Sequence, residues 1–160
     1  MYSRSLIALA AALLATAPAI KSNKGSAVSA TAKGTFDVKA TPQPAAEGDD
    51  PSFSRMTFDK QFHGEMEGSS KVQMLAAGTS VKNSGAYVAL EKVNATIAGR
   101  RGSFTFQHSA TMNRGVPSLT ITVVPDSGTD QLAGISGKCS IEIKEGKHFY
   151  TFEYTLAAAN

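Results

Sequence analysis

The sequence has one cysteine, no tryptophan and few aromatic residues, and each shortage excludes a class of function. Cys139 is the single cysteine among 160 residues, which excludes an internal disulfide framework and a cysteine-rich zinc site. The absence of Trp and an aromatic content of 8% argue against a platform that stacks nucleic acid bases. The sequence also contains no phosphate-binding loop, dinucleotide-binding fingerprint, serine elbow or paired metal motif. It therefore names no reaction, and we predict no cofactor.

The excess positive charge of the chain lies at its N-terminus. Sixteen Lys and Arg residues against thirteen Asp and Glu give a net charge of +3. Arg4, Lys21 and Lys24 all lie within residues 1–30, which contain no acid, so the rest of the chain has 13 bases and 13 acids. A neutral domain gives no electrostatic reason to expect a polyanion, and we predict no nucleic acid partner.

Residues 1–19 have the three parts of an export signal: a basic start with Arg4, an apolar run over residues 6–15, and the small residues around Pro18. The run is shorter than the roughly 20 apolar residues that span a membrane, and Pro18 and Lys21 end it. We predict a signal peptide over 1–19, a flexible spacer over 20–30 and a folded domain over 31–157. After removal of the signal no membrane span is expected, and the protein is predicted to be periplasmic or secreted.

From residue 31 onward, apolar residues recur at every second position, which is the period of a half-buried strand. Turn signals such as Asn83-Ser84-Gly85 separate the runs, and residues 41–52 have the composition of a surface loop. Glycines beside the strands suit the bends that close a sheet, so we predict an all-β fold, a small closed antiparallel β-barrel of about eight strands. Outer faces rich in Thr, Ser, Ala and Gln favour a homodimer.

Five segments carry a family resemblance: MTFDKQFHG (56–64), GAYVALE (85–91), GSFTFQH (102–108), VPDSGT (124–129) and FEY (152–154). Over residues 31–156 the chain resembles a widespread bacterial family known only as a domain of unknown function. The resemblance implies a dimeric, allene-oxide-cyclase-like barrel with no established activity. Residues 127–137 also resemble the glycine-rich hairpin of allene oxide cyclases and dirigent barrels, with Asp130 where that pattern has glycine. The cyclases' substrate-pocket residues have no counterpart here, so their activity is not implied.

His108 is a candidate proton donor or acceptor, because it shares a strand face with Phe104, Phe106 and Met112. Its simpler interpretation is a buried neutral histidine with one hydrogen-bond partner. Burial among apolar side chains shifts the proton affinity of an imidazole, so a histidine in a pocket can exchange protons near neutral pH. We therefore name His108 as a candidate catalytic residue.

Two glutamates and a lysine also alternate with apolar residues. Glu91 alternates with Tyr87, and Glu153 alternates with Phe149. A glutamate that points into an apolar lumen would have a raised pKa and could act as an acid or base, whereas one on the outer face would pair with Lys or Arg across strands. Lys60 is the candidate partner, either in a buried ion pair or as an anchor for a ligand carboxylate.

His63, Glu65 and Glu67 would face the same way at strand spacing. Such a row could hold a metal or orient the imidazole, but it also describes a solvated rim. No second histidine is placed to complete a metal shell, so we predict no metal site.

Three functions remain open. The first is an exported barrel that binds a small, mostly apolar molecule in its lumen. Its candidate ligand-binding residues are Lys60, His63, Tyr87, Phe104, Phe106 and Met112. The second is a cofactor-independent isomerase, cyclase or lyase that transfers protons through His108, Glu91 or Glu153. The third is a structural or interaction homodimer with a filled barrel.

Overall fold

The computed structural model describes residues 27–158, which form a closed barrel of eight antiparallel strands. The strands are β1 Ala27–Gln43, β2 Phe53–Gly64, β3 Met66–Gly78, β4 Gly85–Ile97, β5 Arg100–Asn113, β6 Val116–Val123, β7 Ser136–Lys144 and β8 Lys147–Ala157. Each strand pairs with its neighbours in sequence, and β1 pairs with β8 to close the barrel. The predicted all-β barrel is confirmed. In the described part, no helix is long and apolar enough to cross a membrane.

The first strand is longer than the sequence pattern predicts. It begins at Ala27, because residues 27–30 pair with residues 154–157 of β8, although they show no apolar alternation. It ends at Gln43, opposite Arg55 of β2, so the surface loop is shorter than the predicted 41–52. Pairing with neighbouring strands overrides the weak local signal at both ends. The predicted signal peptide, and the spacer up to residue 26, lie outside the described residues.

One end of the barrel, here called the closed end, is filled by packed side chains. Phe104 packs edge-on against Phe106 with ring centroids 4.9 Å apart and stacks on Phe152 at 5.5 Å. Leu132 and Ile135, from the connection between β6 and β7, are buried in the same core. Such close packing of apolar side chains is the main source of stability in a small domain.

The connection between β6 and β7 includes most of the segment that resembles the glycine-rich hairpin. It contains a short 3₁₀-helix, Asp130–Leu132, and crosses the closed end. Asp130 has a φ of 52°, so an aspartate does adopt the left-handed conformation at the position where the related pattern has glycine. The connection approaches β5 so closely that a Cβ added to Gly102 would collide with the carbonyl oxygen of Thr129.

At the opposite end of the barrel, here called the mouth, inward-facing apolar side chains remain exposed to water. Met112, Leu119 and Ile143 lie on the inward faces of β5, β6 and β7, by alternation with buried or half-buried neighbours, yet they are 40%, 41% and 64% exposed. An inward-facing side chain with that exposure faces space that water reaches. The sequence placed Met112 correctly on the face of Phe104, Phe106 and His108, but it lies at the rim.

Neighbouring strands of the barrel have the fewest paired residues between β6 and β7. These strands pair only through Ile121 with Cys139 and Thr122 with Lys138. In contrast, β4 pairs with β5 along its whole length. Within residues 27–158, the part of β6 from Val116 to Thr120 pairs with β5 alone. The strands β6 and β7 are therefore unpaired toward the mouth, where β6 carries Leu119 and β7 carries Ile143.

Candidate functional site

Four polar side chains meet inside the barrel, and we call them the polar cluster: Lys60, Ser70, Glu91 and His108. They come from the successive strands β2, β3, β4 and β5. The register aligns them, since Lys60 lies opposite Ser70 and His108 lies opposite Ala89, two residues from Glu91. Strand alternation thus turns all four side chains to the inside, where the apolar residues of the same faces are also buried. The structure brings together three of the predicted site residues: Lys60, Glu91 and His108.

Glu91 is the centre of the cluster. Its carboxylate oxygen Oε2 accepts hydrogen bonds from Lys60 Nζ and from His108 Nε2, each at 2.8 Å. The other oxygen, Oε1, accepts a hydrogen bond from Ser70 Oγ at 2.5 Å. Glu91 is only 1% exposed. A carboxylate removed from water to this degree needs donors on both oxygens, and the cluster supplies them.

A carboxylate in an apolar lumen was expected to have a raised pKa, but the pKa of Glu91 is lowered. Burial by itself raises the pKa of Glu91, but the hydrogen bond from His108, the charge and hydrogen bond of Lys60 and the hydrogen bond from Ser70 outweigh it. Together they lower the pKa of Glu91 to about 2. Glu91 is therefore ionised at neutral pH and unsuited to act as a general acid.

Lys60 is held on several sides. Its ammonium group pairs with Glu91 and also lies 4.8 Å from the ring centroid of Phe36 and 5.8 Å from that of Phe62. Cation–π contacts of this kind stabilise a desolvated ammonium. Lys60 therefore serves first to neutralise Glu91, which is the buried ion pair named among the sequence alternatives.

His108 offers the one ring nitrogen that the cluster leaves free. Since Glu91 accepts, Nε2 carries the hydrogen, and a neutral imidazole then has its lone pair on Nδ1. Within residues 27–158, Nδ1 makes no hydrogen bond, and no fully buried polar side-chain atom there lacks a partner. Nδ1 is therefore not fully enclosed, although His108 as a whole is only 4% exposed.

Two further groups flank the cluster. Tyr87, on the inward face of β4, is half-buried toward the mouth, and burial followed by the charge of Glu91 raises its pKa. Cys139 lies in the last paired row between β6 and β7, where burial raises the pKa of its thiol to about 12. A thiol so resistant to ionisation behaves as a small hydrophobe.

The other predicted site residues lie elsewhere. Phe104 and Phe106 are fully buried on the closed-end side of His108, so they form the floor of the mouth. Glu153 is exposed on the outer face, because Phe152 and Tyr154 occupy the inner face of β8; it is not a lumen residue. His63 is also outside the lumen, 3.2 Å from Asp37 and 3.5 Å from Glu67.

Sequence reasoning missed two inward-facing polar residues. Ser70 had no apolar alternation around it strong enough to assign its face. The face of His148 could have been assigned, because His148 alternates with Tyr150 and Phe152. Its ring lies 5.0 Å from that of Phe36. In the part of the chain described, no group of three His, Cys, Asp or Glu side chains is arranged to hold a metal ion.

Comparison with known proteins gives a family without an assigned activity. The model of the family described as "Protein of unknown function (DUF3224)" matches residues 32–154. A crystal structure of a DUF3224 protein of unknown function from Shewanella oneidensis MR-1 is 41% identical in sequence, with a TM-score of 0.75. The similarity covers 82% of this chain and 100% of that one. No functionally curated protein matches the chain.

Proposed function

The chain belongs to the DUF3224 family, and we propose that it binds a small, mostly apolar molecule in the mouth of the barrel, above the polar cluster. The floor of Phe104 and Phe106 sets the depth of this site, because their packing fills the lumen at the closed end. The proposed site is thus shallower than a fully hollow barrel would provide.

The exposure of inward-facing apolar side chains carries this proposal. Met112, Leu119 and Ile143 face the interior yet remain in contact with water. Covering such surface gains about 25 cal/mol for each Å² removed from water, so an apolar molecule seated there is favoured. The buried polar groups beneath would orient one polar atom of the ligand, as a few fixed polar groups commonly do in apolar sites.

The fluorescence of Nile red, a neutral apolar dye, tests this proposal. We expect the dye to bind with a blue-shifted emission, and Leu119→Asp to weaken binding about tenfold or more by placing a charge in the mouth. Leu90→Asp is the matched control, because Leu90 is an exposed strand leucine on the outer face of β4. Dye binding that survives Leu119→Asp and is lost in Leu90→Asp would place the apolar site on the outer surface and contradict the proposal.

A proton-transfer enzyme is the second candidate function, and the contact between Glu91 and His108 favours it. A carboxylate that accepts from one ring nitrogen fixes the tautomer and leaves the other nitrogen to act as a base. In this function His108 alone would exchange the proton. Glu91 would hold the ring in position.

A further inference from the structure

The charges inside the barrel favour one kind of ligand head group over another. Glu91 is the one buried carboxylate among residues 27–158, and the other Asp and Glu residues there are exposed. It faces the ammonium group of Lys60 and the imidazole of His108, which is positive only when it is protonated. The cluster is therefore neutral when His108 is neutral and has a charge of +1 when His108 is protonated. A negative head group complements this site, and a cationic one does not.

The hydrogen bonds of the cluster determine which atom meets the head group. Both oxygens of Glu91 already accept, and Lys60 lies between Glu91 and the rings of Phe36 and Phe62. Among the side-chain nitrogen and oxygen atoms of the cluster, Nδ1 of His108 is the one that makes no hydrogen bond within residues 27–158. It lies on β5 between the packed floor at Phe106 and the exposed apolar side chain of Met112. An amphiphile with its chain in the mouth would bring its head group to this nitrogen.

We propose that the ligand is an aliphatic carboxylic acid, whose carboxylate accepts a hydrogen bond from protonated His108 and whose chain lies against the apolar side chains of the mouth. This inference rests on the proposed function, because it names the ligand class of the same site. The neutral imidazole takes one proton from solvent at Nδ1, and the new N–H donates to the carboxylate. No bond of the ligand is broken. One proton is taken up for each carboxylate bound.

The groups around His108 are consistent with this uptake. Glu91 of β4 stabilises the imidazolium at 2.8 Å, whereas Lys60 of β2, on the same carboxylate oxygen, opposes it. Tyr87 of β4 and Cys139 of β7 are neutral, and Ile121 of β6 is apolar. His148 of β8, the other inward-facing histidine, has its ring 5.0 Å from that of Phe36, which also contacts Lys60. Tyr150 of β8 is also neutral, because burial raises its pKa. A bound carboxylate offsets the repulsion between His108 and Lys60.

Three probes with the same ten-carbon chain test the head group: decanoate, 1-decanol and decyltrimethylammonium. Isothermal titration calorimetry at pH 8 in two buffers of different ionisation enthalpy counts the protons taken up. We expect decanoate to bind about tenfold more tightly than decanol, with uptake of about one proton, because charge-assisted hydrogen bonds are the stronger ones. Decyltrimethylammonium should bind more weakly than both.

Two histidine variants show which imidazole takes up the proton when decanoate binds. His108→Gln should abolish the uptake and weaken decanoate about tenfold while leaving decanol within about twofold. His148→Gln is the matched control and should keep the uptake. If His108→Gln does not fold, NMR of the imidazole nitrogens of the wild-type protein gives the same answer, because decanoate should convert the His108 signal to that of an imidazolium.

The possible failures are distinct. Decanol that binds as tightly as decanoate without proton uptake overturns the carboxylic acid and leaves the apolar site standing. Uptake that persists in His108→Gln, or a His108 signal that decanoate does not change, also overturns it. If neither decanol nor Nile red binds, the proposed function itself is wrong.

Discussion

Replacing Glu91 by glutamine should destabilise the barrel strongly at neutral pH. The change keeps the size of the side chain but removes the charge that neutralises Lys60, whose ammonium lies 2.8 Å from Oε2. Breaking a buried ion pair by removing one partner costs about 3–5 kcal/mol, because the other charge stays buried without compensation. We expect Glu91→Gln to lower the free energy of unfolding by this amount at pH 7.

The same variant should change how stability depends on pH. An ordinary glutamate has a pKa near 4.5, and the folded barrel lowers that of Glu91 to about 2, so folding favours the ionised carboxylate by about 3 kcal/mol. Because the folded pKa is the lower one, this stabilisation is complete above the ordinary pKa and is lost as the pH falls toward 2. About 2 kcal/mol of it should be gone at pH 3.

Urea titrations between pH 7 and pH 3 measure both effects, followed by far-UV circular dichroism because the chain has no tryptophan. The difference in free energy of unfolding between wild type and Glu91→Gln should decrease by about 2 kcal/mol as the pH falls from 7 to 3. Glu153→Gln is the control, since this exposed carboxylate on the outer face should change stability by less than about 0.5 kcal/mol. A cost below about 1 kcal/mol at pH 7, or a difference that is constant with pH, would refute the reasoning.

Two further predictions concern assembly and export, which we propose from the sequence pattern. If the protein is a homodimer, its interface should include the exposed apolar side chains Leu75, Val88 and Leu90 on the outer faces of β3 and β4, so Val88→Lys should shift the sedimentation velocity to that of a monomer. A dimer unaffected by Val88→Lys would have its interface elsewhere. Expression in a bacterial host should yield an exported chain cleaved after Ala19, as measured by its intact mass. Cleavage after Ala30 instead would contradict this prediction, and it would remove residues 27–30, which pair with β8.

The alternation of the sequence was sufficient to group the residues of each strand face, but not to say how deep each residue lies. Phe104, Phe106, His108 and Met112 share the inward face of β5, as predicted, yet their exposure rises from none at Phe104 to 40% at Met112. Depth along the barrel axis depends on the stagger of all the strands and on where the β6–β7 connection enters. Those are tertiary features that no local period contains.

Glu153 shows a second limit of the pattern. On β8 both faces carry aromatic residues, Phe149 on one and Tyr150 with Phe152 on the other. The period therefore separated Glu153 from Phe152 without indicating which of the two faces the lumen. On β4 the two faces were equally ambiguous, because the outer face carries Val88 and Leu90. The inward position of Glu91 became evident only from its contacts with β2, β3 and β5.

Stability alone does not account for the polar cluster. A buried ion pair recovers little more than the cost of removing its charges from water, and apolar side chains of similar volume often stabilise a core equally well or better. The closed end of this barrel shows that its lumen accepts such a core, since Phe104, Phe106 and Phe152 fill it. The charges occur instead at the boundary where the packed floor meets the mouth. There Glu91 fixes His108 and, within the described residues, leaves one ring nitrogen without a hydrogen bond, which is an arrangement suited to recognition of a polar head group.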